Sequence, residues 1–103
     1  MPYRESPTAY EDAIRTVNEV SNKLALSENK KKKALDIINK VNDGVMFGSG
    51  LSPKAVAAGA VHLATIMEGK SYNEEVKDIA AAAEVSKKSV YDNTRRLRYR
   101  LKL

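Results

Sequence analysis

The stretch from residue 53 to residue 68 constrains the fold more than any other part of the sequence. Ser52-Pro53 provides an N-cap followed by proline at the first helical position. The middle of the stretch, AVAAGAVHLA, is small and apolar on nearly every side, as expected for a helix at the centre of a bundle. Gly59 lowers the helix propensity by about 1 kcal/mol relative to alanine, which predicts a close helix crossing there. Gly69 predicts the helix end.

Helical periodicity dominates the rest of the chain, and no convincing strand alternation occurs. The other predicted helices cover 9–25, 28–43, 74–83 and 87–102. Their predicted N-caps are Thr8 (in a capping box with Glu11), Ser27, Asn73 and Ser86. Gly48-Ser49-Gly50 predicts a flexible connector. The fold class is therefore all-α, with five helices in a single domain over residues 9–103 that follows an N-terminal tail of residues 1–8.

Length and composition exclude several classes of protein. The 103 residues suit one domain, and no apolar run approaches the roughly 20 residues of a membrane span. The sequence has no cysteine, which excludes disulfides and thiolate chemistry and fits a reducing intracellular compartment. The only histidine, His62, lies in the apolar third helix, so we expect a packed side chain and neither a metal site nor a nucleophile–base pair.

Positive charge is concentrated near the C-terminal end of the sequence. Residues 86–103 contain seven basic side chains and one acid, a net charge of +6. The other 85 residues contain 11 basic and 12 acidic side chains, a net charge of −1. The whole excess therefore lies in one segment, which favours an anionic partner, with nucleic acid ahead of an acidic protein or a membrane surface.

The last two predicted helices form a helix-turn-helix pattern over 74–102, with Glu84-Val85-Ser86 as the turn. In such a motif the start of the second helix reaches base edges, and cations further along hold phosphates. The candidate base-contacting residues are Lys87, Lys88, Ser89, Tyr91 and Asp92, and the N-cap Ser86 is a further candidate DNA contact. The candidate phosphate contacts are Arg95, Arg96 and Arg98. The alternative is a basic surface helix that binds no nucleic acid.

A second basic run, Lys30–Lys33, lies in the first turns of the second helix, where the helix dipole disfavours cations. We expect a solvated surface there, and the functional alternative is a contact with phosphate or an acidic protein. Glu74 and Glu75 are expected to stabilise the start of the fourth helix through its dipole.

The segment from residue 50 to residue 103 resembles the second cyclin-like repeat of transcription factor IIB, especially the archaeal form, transcription factor B. The resemblance is carried by GLSPKAVAAGA at 50–60, ATIMEGK at 64–70, EVKDIA at 75–80 and VSKKSV at 85–90. Residues 17–45 fit the first two helices of the repeat, so the resemblance covers about residues 9–103. The Ser-Pro helix start combined with the terminal helix-turn-helix is its most specific part.

The resemblance implies a five-helix cyclin-like fold and a promoter DNA-binding module of a general transcription initiation factor. In that family the repeat docks on double-stranded DNA next to the TATA box and helps assemble TATA-binding protein and RNA polymerase. We therefore expect these partners, and neither enzyme activity, a cofactor, a membrane nor a small-molecule substrate. Such a protein belongs in the archaeal cytoplasm, on the nucleoid, or in a eukaryotic nucleus. The alternative is a cyclin-fold protein–protein interaction module with little direct DNA binding.

Three positions depart from the family pattern. Lys88 and Tyr91 stand where the family usually has a small apolar residue and a base-reading arginine. We therefore expect the sequence preference to differ from that of the family or to be lost, with phosphate binding retained. Glu84 replaces a common turn glycine, so a positive φ at that position would be strained by the Cβ atom.

Overall fold

Five α-helices make up the part of the chain described by the computed structural model, which covers residues 7–41, 52–71, 73 and 75–102. In chain order the helices are α1 (Pro7–Leu24), α2 (Glu28–Lys40), α3 (Pro53–Met67), α4 (Val76–Ala83) and α5 (Lys87–Leu101). These ranges contain no strand, and the predicted all-α class with five helices is confirmed. The predicted connector at 48–50 and most of the predicted tail at 1–8 lie outside the described residues.

The third helix is the centre of the bundle, as its composition predicts. Every residue from Ala55 to Thr65 is buried, and α3 packs against all four other helices, most extensively against α5. A Cβ atom added at Gly59 would lie 2.8 Å from the Cβ of Asn93 and 3.0 Å from the backbone nitrogen of Thr94. The glycine therefore permits the close crossing of α3 and α5 that the sequence predicts.

The single histidine is packed in this core, as expected. His62 is completely buried, and its Nδ1 lies 2.9 Å from Oγ1 of Thr94 on α5. Its ring makes an edge contact with the ring of Tyr91 at a centroid distance of 5.9 Å. The histidine thus joins α3 to α5 inside the bundle.

Two of the predicted helix starts are wrong. Helix α1 begins at Pro7, so Thr8 lies inside the first turn and is not the N-cap. Proline is favoured at that position because its missing N–H would have no partner in the helix. Helix α4 begins after Glu75, which has a φ of 67° and makes no capping hydrogen bond with its side chain. The predicted cap Asn73 instead accepts a 2.8 Å hydrogen bond from the hydroxyl of Tyr91.

The serine caps are confirmed. Ser27, Ser52 and Ser86 each have extended backbone and accept a hydrogen bond from the amide three residues later. Gly69 follows α3 with a φ of 96°, as a helix-terminating glycine does. Helix α2 ends at Lys40 with Val41 as its C-cap, earlier than the predicted end at 43.

Lys30 contradicts the expectation that the four-lysine run is a solvated surface. Its side chain is only 7% exposed, and its Nζ lies 3.3 Å from Oε1 of Glu75 and 3.6 Å from Oε1 of Glu68. The two carboxylates offset the unfavourable position of a cation near the start of α2. The lysine ties the first turn of α2 to the end of α3 and the start of α4, whereas Lys32 and Lys33 are exposed.

Candidate nucleic-acid interface

A tight turn sets the start of α5 relative to α4. Glu84, with a φ of 62°, ends α4 in the left-handed conformation expected of a turn glycine. The amide of Val85 donates to the carbonyl of Ala80 at 3.0 Å, which closes the end of α4. Ser86 then caps α5 through its Oγ, which accepts from the amide of Ser89 at 3.1 Å. The two helices are therefore joined by three residues, as in a helix-turn-helix.

One side of α5 is fixed against α3. Val90, Asn93, Thr94 and Leu97 are buried, and Oγ1 of Thr94 donates to the carbonyl of Val90 at 2.7 Å. The amide nitrogen of Asn93 donates to the carbonyl of Ser89 at 2.8 Å. Because these side chains hold the helix by one face, the positions between them are directed away from the core.

The predicted cations occupy this outer side. Lys87, Lys88, Arg95 and Arg96 are exposed, and Arg98 is half-buried. Lys88 and Arg95 form ion pairs with Asp92. The other three, Lys87, Arg96 and Arg98, form no ion pair with any carboxylate of the described ranges. Unpaired cations on an exposed helix face can neutralise phosphates without first losing an internal partner.

Asp92 lies between two of the cations and pairs with both. Nζ of Lys88 is 3.0 Å from its Oδ2, and Nη2 of Arg95 is 3.0 Å from its Oδ1. The two hydrogen bonds hold the pKa of Asp92 below its usual value of 3.8, and the one from Lys88 has the larger effect. The carboxylate is therefore ionised at neutral pH and acts only as an acceptor.

Three other predicted DNA-contacting residues form hydrogen bonds or ring contacts within the protein. Ser86 and Ser89 form the cap of α5, with their hydroxyls 3.1 Å apart. Tyr91 is half-buried, with its ring against His62 and its hydroxyl bonded to Asn73. The outward polar groups at the start of α5 are thus those of Lys87, Lys88 and Asp92.

The described ranges hold no group of three or more His, Asp or Glu side chains that could bind a metal ion. Among the same residues, no helix is long and apolar enough to cross a membrane.

The comparison with known proteins agrees with this arrangement of helices. A family model described as the transcription factor TFIIB repeat matches residues 6–98. The chain belongs to the TFIIB repeat family. This confirms the family resemblance and the cyclin-like, all-α fold that the sequence predicts.

The chain is similar to archaeal members of the TFIIB family. It is 37% identical over 73 residues, 69% of its length, to transcription initiation factor IIB of Methanopyrus kandleri, of which the match covers 23%. It is 33% identical over 76 residues, 73% of its length, to transcription initiation factor IIB 1 of Thermococcus kodakarensis, of which the match covers 25%. The match thus spans about a quarter of these relatives, and no solved structure matches the chain.

The sequence analysis missed one exposed residue of this TFIIB repeat. Tyr99 is 85% exposed on α5, and Arg95, Arg96 and Tyr99 line one shallow groove. The sequence contains the signal, because Tyr99 stands between two arginines, Arg98 and Arg100. An aromatic ring among cations is a composition typical of binding surfaces.

Proposed function

We propose that this chain is a promoter DNA-binding module of a general transcription initiation factor of the TFIIB type. Helices α4 and α5 dock as a helix-turn-helix, with the start of α5 in the major groove next to the TATA box. The module binds DNA without chemistry and helps assemble TATA-binding protein and RNA polymerase. Membership of the TFIIB repeat family and the names of the archaeal relatives support this general role.

The observation that carries the proposal is the arrangement of charge on α5. The helix is held to α3 by its apolar side, and four of its cations are exposed: Lys87, Lys88, Arg95 and Arg96. Its N-terminal amides favour an anion, since the helix dipole is positive at that end. Lys87 and Arg96 are exposed and free of carboxylate partners in the described ranges, so both can bind the phosphate backbone.

The exposed apolar residues favour a second candidate, a cyclin-fold protein–protein interaction module. Tyr99 is 85% exposed, and Met67 at the end of α3 is 45% exposed. Phosphate binding requires neither side chain, whereas tyrosine is enriched at protein interfaces.

A two-dimensional amide NMR titration with a short promoter-like duplex tests the proposal. We expect shifts clustered on residues 86–98 that weaken as salt rises, because phosphate binding releases counterions. A silent α5 at millimolar DNA would contradict DNA docking and favour the interaction module. A titration with TATA-binding protein would then follow, with shifts at Tyr99 and Met67 as the expected result.

A further inference from the structure

Lys88 and Asp92 form an ion pair near the start of α5. The proposed docking places this part of the helix against the bases. The two residues are the second and sixth of the helix, one turn apart on its outer side. The side chain of Lys88 is 84% exposed and that of Asp92 is 30% exposed. A hydrogen-bond donor and an acceptor are thus presented together, and both can be reached from outside.

We infer that Lys88 and Asp92 together read one G·C base pair, with Lys88 on the guanine and Asp92 on its paired cytosine. The inference rests on the proposed function and specifies which DNA the same surface prefers. Lysine donates to guanine O6 and N7, and aspartate accepts from the amino group at cytosine N4.

The spacing of the two side chains matches that base pair. Nζ of Lys88 and Oδ2 of Asp92 are 3.0 Å apart. In a G·C pair, guanine O6 accepts a hydrogen bond from cytosine N4, so these two atoms are about 2.9 Å apart at the major-groove edge. The protein presents a donor beside an acceptor, and the base pair presents an acceptor beside a donor at nearly the same separation.

The order of groups across the groove favours G·C over A·T. A guanine offers two neighbouring acceptors, N7 and O6, to the ammonium group of Lys88, and the cytosine amino group follows next to them. In an A·T pair the amino group of adenine lies between the two acceptors, and thymine adds a methyl group. An ionised carboxylate beside that methyl group would be desolvated without any hydrogen-bond donor on the base to replace the lost water.

Arg95 positions the carboxylate. Its Nη2 binds Oδ1 of Asp92 at 3.0 Å, whereas Lys88 binds the other oxygen, Oδ2. The carboxylate of Asp92 is therefore bound by Lys88 from the preceding turn of the helix and by Arg95 from the following turn. Its orientation is set before DNA binds. A preorganised pair loses less conformational freedom on binding than two free side chains.

The test is a selection from a pool of randomised duplexes with the whole chain. Affinities for duplexes that differ in one base pair are then measured by fluorescence anisotropy. We expect a preference for G·C at one position of about 5- to 100-fold. Lys88→Ala and Asp92→Ala should each abolish that preference. The double variant should lose no more than either single variant, because the two residues act on one base pair.

Asp36→Ala is the matched control, since it removes an exposed carboxylate from α2 and changes the net charge equally. This variant should keep the preference. An unchanged preference in Asp92→Ala, or a preference for A·T that depends on these residues, would overturn the inference. If duplexes still bind with steep salt dependence in that case, the proposed function stands. If no duplex binds the wild-type chain, the inference and the proposed function both fail.

Discussion

The two basic runs of this chain look alike in sequence and differ in the fold. Lys30 opens the run on α2 and is buried between Glu68 and Glu75, whereas the cations of α5 lie on its exposed face. The difference is decided by distant residues, since Glu75 is 45 positions from Lys30. The comparison teaches that a run of like charges does not by itself make a surface, because the fold buries Lys30 against two carboxylates and leaves Lys88 and Arg95 exposed.

Lys30→Ala gives the largest expected effect. The variant removes the buried cation that Glu68 and Glu75 share, and leaves Glu75 only the exposed Lys70, 3.6 Å away. We expect a loss of about 3 kcal/mol, the low end for such pairs because both carboxylates are about one-third exposed. Thermal unfolding should show Tm lowered by about 10–20 °C. Lys32→Ala is the control from the exposed part of the run, and an equal loss of Tm there would contradict the assigned role of Lys30.

Gly59→Ala tests how closely α3 and α5 must cross. The added methyl group would lie 2.8 Å from the Cβ of Asn93, with the backbone of α5 directly behind it. We expect destabilisation of about 2 kcal/mol from overpacking, measured by urea unfolding. Ala81→Gly, at an exposed position of α4, makes the reverse change in helix propensity alone. It should cost about 1 kcal/mol, which measures the gain in propensity that the overpacking in Gly59→Ala must exceed. A Gly59→Ala variant as stable as wild type would show that the crossing is loose.

Glu84→Gln gives the smallest expected effect. The Lys54 side chain, which donates to Glu84 at 3.1 Å, lowers the pKa of this carboxyl below 4.5. A lowered pKa stabilises the fold above the ordinary value and ceases to do so as the pH falls through the lowered one. The variant should therefore be slightly less stable than wild type at pH 7, and the difference in Tm should shrink as the pH falls below 4.5. A constant difference across that range would mean that the ion pair makes no contribution.

The sequence predicted the fold best where local chemistry decides it. Ser52-Pro53 and Ser86 fixed the starts of α3 and α5, because these caps act within one turn. The start of α4 was predicted wrongly, since Asn73 bonds to Tyr91 on another helix. No local signal marks such a partner 18 residues away.

The candidate interface was predictable in part. The basic character of α5 is evident from the charge of residues 86–103. The spacing of Lys88, Asp92 and Arg95 also predicts contacts among these side chains within one helix. The inward position of Tyr91 could not be derived, because it depends on the packing of His62 and on Asn73. The burial of Lys30 likewise required the ends of α3 and α4 to be placed beside α2.

The most direct test of the account compares two double variants in DNA binding over a range of salt concentrations. Arg95→Ala with Arg96→Ala removes two exposed cations from α5, and Lys32→Ala with Lys33→Ala removes two from α2. We expect the α5 variant to lose affinity for every duplex, with the slope of log affinity against log salt reduced by about 0.9 to 1.8, the lower figure if Arg95 stays paired with Asp92. The α2 variant should keep the wild-type slope. Equal losses in the two variants would show that α5 is not the DNA-binding surface.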